Sequence, residues 1–343
     1  MQSEMEKNIK RTTIYDLAQL AGASPSAVSS VLNGTWKKRR ISQKLAERVM
    51  KLAEEQGYAV NAQASLLRKE RSHIIGMIVP KYDNRYFGEI AEQFEAKARE
   101  AGFFPVVTCT QRDPTLEFEA AKELISYQAE CLISTGATDP DRISAFCDAA
   151  GVQSINLDLP GKGAPSVISD NFTGARNLTS LILDHCAQDF GSTAPLRFVG
   201  GRLTDHNTAV RLEGFLAEHR RRSIAVPEAH ILATGYSADK AAAALASFKP
   251  DGPTGLFVNS TISLEGVVRW HSELEEGADY VRYGCFDWDP FGSYLPGNIA
   301  MAEQDVEAML ERVFDLIGRT GISKKPLLIP CKLRNFDSDR VRT

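Results

Sequence analysis

Apolar positions in the first sixty residues recur at helical spacing. Ile14, Leu17, Ala18 and Ala21 form one stripe. It opens with Thr13 followed three residues later by Asp16, which predicts an N-terminal cap. Gly22 ends the run. Ser24 caps a second helix, and Pro25 sits at its first position, where the missing N–H costs nothing. Ala27, Val28, Val31 and Leu32 point inward, Ser26, Ser29 and Ser30 outward, and Asn33-Gly34 closes the helix. Ser42 caps a third, with Leu45, Val49, Leu52 and Ala53 on one face, ending at Gly57. Two short helices joined by Ala21-Gly22-Ala23 predict a helix-turn-helix. Its second helix has an outer face of small polar groups, which fits a DNA major groove.

From His73 the pattern changes to alternating strands and helices. Ile74–Val79 is a continuous apolar run and predicts a buried parallel strand. Helices over 84–100, 115–127 and 139–150 alternate with strands at 103–109, 131–134 and 154–157. A second series begins with a helix from Asn171 to about Cys186. Strands at 196–199, 230–234 and 255–258 then alternate with helices at 207–219, 238–247 and 263–275. Two such series predict an α/β body of two doubly wound parallel-sheet lobes behind an all-α head.

The chain has 343 residues, 43% hydrophobic and 24% charged, which predicts two or three soluble globular domains and excludes a disordered or disulfide-scaffold protein. Its apolar runs are strand-sized and its first residues polar, so neither a membrane span nor a secretory signal is expected, and the location should be cytoplasmic. Cysteines 109, 131, 147, 186, 285 and 331 form no C-x-x-C pair and read as buried free thiols. No histidine pattern suits a metal, and no cofactor is expected. Charge is uneven. Residues 1–72 hold 13 Lys/Arg against 7 Asp/Glu, a net of +6, and the remainder 27 against 37, a net of −10. A basic head on an acidic body suits nucleic-acid binding. Trp36-Lys37-Lys38-Arg39-Arg40 places four cations beside an aromatic ring, a composition fitted to phosphates.

Thr13-Ile14-Tyr15-Asp16-Leu17-Ala18, Ala21-Gly22-Ala23-Ser24, Val28-Ser29, Val31-Leu32-Asn33 and Gly57-Tyr58-x-x-Asn61 together resemble the LacI family of bacterial transcription regulators. The long loop before Ile41-Ser42, and the stretch from Leu67-Arg68 to Gly76–Pro80, look most like its fructose and sucrose repressor branch. The resemblance implies that Pro25, Ser26 and Ser30 read base edges and that Thr13, Tyr15, Ser24 and Asn33 contact the backbone. It matches Asn61–Leu67 to a hinge helix that folds on the operator, Asn61 and Ala64 included, with Leu67 wedged into the minor groove. That segment is helix-prone but too short to be stable alone. Val60 stands where many relatives carry Pro, and small serines replace larger base readers, so no operator sequence transfers. The implied body has two lobes like those of a periplasmic sugar-binding protein, crossed three times by the chain. Boundaries follow: head 1–60, hinge and linker 61–72, effector-binding and dimerisation domain 73–336, polar tail 337–343. Lobe 1 takes about 73–169 and 299–325, lobe 2 about 170–298 and 326–336, with crossings near Ser169, Gly297-Asn298 and Lys325-Pro326.

Doubly wound sheets bind ligands at the carboxyl ends of their strands. The first such loop carries Lys81, Asn84, Tyr86 and Phe87, aromatic and polar groups suited to a polyol. Asp158 and Asn259 end later strands, and Trp288 offers a ring for stacking. Arg211, in Arg211-x-x-Gly214-Phe215, and Asp287 match effector-reading positions of the family. Leu159 replaces an Arg that fructose-repressor-like relatives carry, so sugar and sugar phosphate both stay open. No nucleotide-loop or nucleophile-elbow motif is present, and an enzyme is not expected. The expected function is a homodimeric repressor of carbohydrate genes. It would bind a pseudo-palindromic double-stranded operator and answer a small carbohydrate through a shift between lobe arrangements. The alternative is a cytosolic sugar sensor that signals through protein contacts, without salt-sensitive DNA affinity.

Overall fold

A computed structural model describes residues 12–58, 72–274 and 278–336, and the chain divides into two compact units, Met1–Ser72 and His73–Thr343. The first unit contains α1 (Ile14–Ala21), α2 (Pro25–Leu32) and α3 (Gln43–Glu55). Thr13 and Asp16 form the expected reciprocal cap, and Gly22 ends α1 at φ 61°, a left-handed conformation that glycine adopts without strain. Ser24 accepts from the Ala27 N–H at 3.2 Å, and Ser42 from that of Leu45 at 3.3 Å. Leu17, Ala18, Ala21, Val28, Val31, Ala46, Val49 and Ala53 form the core, with Trp36, Ile41 and Tyr58 packed against it.

The second unit is two parallel-sheet lobes. The first sheet takes β1 (Ile74–Val79), β2 (Phe104–Cys109), β3 (Cys131–Thr135), β4 (Gln153–Leu157), β5 (Ser166–Ser169) and β11 (Leu327–Ile329), in the order β11-β5-β4-β3-β1-β2. The second takes β6 (Arg197–Val199), β7 (Ile231–Leu232), β8 (Thr254–Val258), β9 (Val281–Phe286), β10 (Asn298–Glu303) and β12 (Lys332–Asn335), ordered β12-β10-β9-β8-β6-β7. All pairings are parallel except β10 with β12. Helices α4 (Arg85–Glu100), α5 (Pro114–Ser126), α6 (Pro140–Ala149) and α11 (Val306–Leu316) cover the first sheet. Helices α7 (Asn171–Phe190), α8 (His206–Arg221), α9 (Ala238–Leu245) and α10 (Thr261–Ser272) cover the second. Alternation along β1 sends Ile75, Met77 and Val79 into one core and Ile78 into the other, so the strand is buried on both faces.

The chain crosses between sheets after Ser169, after Glu303 and after Ile329. The second and third crossings lie later than the sequence reading puts them, and residues 299–303 belong to the second lobe. Gly297-Asn298 and Lys325-Pro326 look like connectors, yet each opens a strand. Ile299–Ala302 is buried beside β9, and Leu327–Ile329 pairs with β5. All six cysteines are free, four of them buried.

One ion cluster joins α7 to α8. Buried Glu218 accepts from Arg221 at 2.7 Å and from Arg222 at 2.8 Å, and Arg222 also donates to Asp184 at 2.7 Å. These arginine hydrogen bonds hold the Glu218 carboxyl at a pKa of about 2. A carboxylate depressed on folding stabilises the protein above its unfolded pKa and loses that contribution as pH falls through the folded value. Glu218→Gln should therefore lower stability by about 2–3 kcal/mol at pH 7. The gap to the parent should close between about pH 4.5 and pH 2, as acid-unfolding curves of the two proteins would show.

Candidate functional site

Two surfaces gather the candidate residues. On the head, the capping atoms of Thr13 and Ser24 are engaged at the starts of α1 and α2, and Tyr15 is 71% exposed. Pro25, Ser26, Ser29 and Ser30 lie along α2. Ser26 is exposed, Ser29 and Ser30 half-exposed. The Ser30 hydroxyl donates to the Ser26 carbonyl at 2.9 Å, and Asn33 Nδ2 to that of Ser29 at 2.8 Å. The outward side of α2 is thus small and polar. An α-helix of about 10–12 Å diameter enters a major groove about 12 Å wide when its side chains are small. Lys37, Lys38, Arg39 and Arg40 are exposed, and among the described residues none pairs with a carboxylate. Lys37 lies 5.4 Å from the Trp36 ring centroid. Asn61, Ala64 and Leu67 lie outside the described residues.

The second surface lies between the lobes, at the carboxyl ends of the strands. Asp158 follows β4 and Asp287 follows β9, the corresponding strands of the two sheets. Both adopt left-handed backbone, φ 72° and 73°, which Asp tolerates better than most residues. Both are buried. Tyr86, near the start of α4, donates its hydroxyl to Asp158 Oδ1 at 3.1 Å. From the other lobe, Asn207 Nδ2 donates to the same oxygen at 3.2 Å. Asn207 Oδ1 accepts from Asn171 Nδ2 at 3.2 Å, and Asn171 Oδ1 from Arg211 Nε at 2.7 Å. Arg211 also donates to the Asn259 carbonyl at 2.7 Å, pairs with Asp287 at 3.7 Å and stacks 3.7 Å from the Phe286 ring centroid. Gln304, at the second crossing, donates to Asp287 at 2.6 Å. One hydrogen-bonded network therefore spans both lobes.

Burial raises the pKa of both carboxyls. Arg112 and Arg211 oppose the rise at Asp158, and Arg211 and Gln304 oppose it at Asp287. Burial also pushes the Tyr86 phenol well up, reinforced by Asp158, so it stays a donor. Outside this network is a cavity of about 810 Å³ whose walls include Lys81, Asn84, Phe87, Arg112, Tyr236 and Lys240.

Of the cleft residues expected from the sequence, Tyr86, Asp158, Arg211, Asn259 and Asp287 come together in the network, and Lys81, Asn84 and Phe87 line its mouth. Asn84 caps α4. Trp288 is elsewhere: its ring lies 6.0 Å from that of Phe336, beneath Arg334. Trp288 lies beyond the end of β9, after the left-handed turn at Asp287 (φ 73°). Asn171, Asn207, Tyr236, Arg112 and Gln304 were not singled out from sequence. Asn171 and Asn207 read there only as helix starts, and Gln304 gave no signal because the strand before it was not recognised.

Gly214 explains part of the Arg211 segment. A Cβ at this position would lie 2.3 Å from the Phe172 carbonyl oxygen of α7. Only a bare Cα lets α8 approach closely enough for Arg211 to reach Asn171. Gly214→Ala should cost about 1–3 kcal/mol and weaken ligand binding, read as a lower Tm and a weaker cleft-ligand affinity in calorimetry.

Residues 13–61 match the family model described as bacterial regulatory proteins, lacI family. The chain is 62% identical over 194 residues to the ribitol operon repressor of Klebsiella aerogenes, covering 57% of this chain and 72% of that protein. It is 29% identical over 332 residues to the sucrose operon repressor of Klebsiella pneumoniae, covering 93% and 95%. In fold it is similar to the Lac repressor dimer bound to operator and the anti-inducer ONPF. That match has a TM-score of 0.75 at 23% identity and covers 94% of this chain and 98% of that one.

Proposed function

The chain belongs to the lacI family of bacterial regulatory proteins, and from that membership we propose that it represses carbohydrate-metabolism genes by binding operator DNA under the control of a small carbohydrate held between its lobes. A helix-turn-helix with a small-residue outer face, on the same chain as a buried polar cleft, carries this reading. A second copy of the chain would give two half-site contacts on a pseudo-palindromic operator, as in the dimeric Lac repressor complex. The ligand class is polyhydroxylated: carboxylates, amides and a phenol surround the site, and a relative is named for a ribitol operon. The carboxylates are held by Tyr86, Asn207 and Gln304, an arrangement for gripping hydroxyls rather than for turnover.

The proposed coupling is a population shift. Asn207 of the second lobe donates to Asp158 of the first, and Arg85 reaches Asp289 across the mouth at 3.3 Å. These contacts hold one lobe arrangement. A ligand that binds a second arrangement more tightly shifts the balance by that difference in affinity alone. The test is retardation of the operator fragment upstream of the chain's own operon by full-length protein. Retardation in the absence of ligand and release on adding a sugar or polyol is the expected result. A chain that never binds duplex DNA sequence-specifically refutes the proposal.

A further inference from the structure

We infer that the second lobe carries a separate binding site for an organic ammonium ion, at the end of its sheet opposite the cleft. A cavity of about 560 Å³ lies at the amino ends of β9 and β10. From there β9 runs six residues to Asp287, about 20 Å at about 3.3 Å per residue. No residue lines both this cavity and the one at the cleft.

Backbone electrostatics favour a cation. Helices that return the chain between parallel strands arrive at the amino ends of those strands with their carbonyl termini. Two of them place their last turns in the wall: α7 with Asp189 and Phe190, α10 with His271. Each such terminus acts as about half a negative charge.

The side chains add to this field. Arg282 is already seated in it. Its Nε donates to Asp189 at 2.7 Å, its Nη1 to the Asp279 and Val281 carbonyls at 2.9 Å each, and its guanidinium lies 4.6 Å from the Phe190 ring centroid. Arg282 and Asp189 cancel each other in charge. The exposed Asp279 carboxylate, in the same wall, has no cation among the described residues.

Asn298 points to the kind of cation. It is 6% exposed and forms part of the wall. Its Nδ2 donates to the Gly292 carbonyl at 2.9 Å, which fixes the amide orientation, because a carbonyl oxygen only accepts. Oδ1 is left buried with no hydrogen-bond partner among the described residues. A buried acceptor in that position calls for a donor. Tyr280, 51% exposed, and Phe336 offer ring faces to an apolar stem and to the charge itself. A quaternary ammonium has no N–H for Asn298, and an anion would meet Asp279 and two helix carbonyl ends. The class that fits is a primary amine on an alkyl or aryl stem. The net charge of −10 on the body draws such a cation in from solution.

The experiment titrates the full-length chain with putrescine, spermidine and tyramine by calorimetry at about 0.15 M salt, where long-range attraction is screened. Choline is the control without an N–H. At least one primary amine should saturate at one site per chain, and choline should bind about tenfold more weakly or less. Asp279→Lys reverses an exposed charge and should weaken the amine about tenfold. Tyr280→Ala should weaken it about threefold. Asn298→Leu should bring the amine down to the affinity of choline. Heat that never saturates, choline binding as tightly as the amines, or unchanged amine affinity in folded Asp279→Lys and Tyr280→Ala proteins would each overturn the inference. None of these results bears on the effector role of the cleft.

Discussion

Arg211→Ala is expected to give a chain that still retards operator DNA but no longer releases it when the effector is added. Arg211 is 3% exposed and joins four parts of the cleft: Asn171, the Asn259 carbonyl, Asp287 and the Phe286 ring. Its removal breaks the path by which ligand contacts in one lobe are felt in the other. Effector affinity should fall at least a hundredfold, or about 2.7 kcal/mol. The head is a separate compact unit with its own core, so DNA affinity without ligand should stay within a few-fold of the parent. Stability should fall as well, by about 3–5 kcal/mol, because Asp287 is left buried without its cation. That loss has a defined pH dependence. Burial already raises the Asp287 pKa, and Arg211 opposes the rise. Without Arg211 the folded-state pKa climbs further above the unfolded value. A carboxyl raised on folding destabilises at high pH, and stability returns as pH falls through the folded pKa. The Tm gap between variant and parent should therefore narrow from pH 8 to pH 5. A gap that widens on acidification, or normal release of DNA by the variant, contradicts the role given to Arg211.

Helix starts and inner strands were legible because their causes are local. Thr13, Ser24 and Ser42 cap the helices that the sequence assigns them, and Ile74–Val79 announces its two-sided burial by composition alone. Asp158 and Asn259 were legible because strand ends in a doubly wound sheet converge, and Arg211 and Asp287 because their segments resemble effector-reading positions of the family. What stayed hidden depends on long-range pairing. β11 has three residues and β12 four, too few for a periodic signal, and each joins a sheet only after the chain has crossed back. Without β11 the third crossing slid onto Pro326, and without β10, which the sequence reading also missed, the second slid onto Gly297 and Gln304 had no reason to be noticed. Trp288 shows the opposite error. An aromatic residue beside a site residue suggests stacking, but past the left-handed turn at Asp287 its ring packs against Phe336.

Replacing Lys37, Lys38, Arg39 and Arg40 together by alanine should weaken operator binding about a hundredfold or more at physiological salt and leave effector binding unchanged. The four side chains are exposed, so the substitution removes little packing, and Tm should move by no more than exposed positions usually allow, about 0.5 kcal/mol each. If each cation neutralises one phosphate, each loss lowers the slope of log affinity against log salt by about 0.9. Parent and variant should therefore converge as salt rises. The loss should also be similar on operator and unrelated duplex, since phosphates carry no sequence information. Substitution at Ser26 should behave differently, changing the ratio of operator to unrelated duplex with the salt slope intact. The charge distribution makes this division of labour testable in one more way. Residues 1–72 carry net +6 and the remainder net −10, so a chain beginning at His73 should bind the effector as the parent does yet be repelled by any duplex. Duplex affinity surviving in that truncated chain would place the DNA-binding surface on the body, and the loop cations would then be no more than a solvated run.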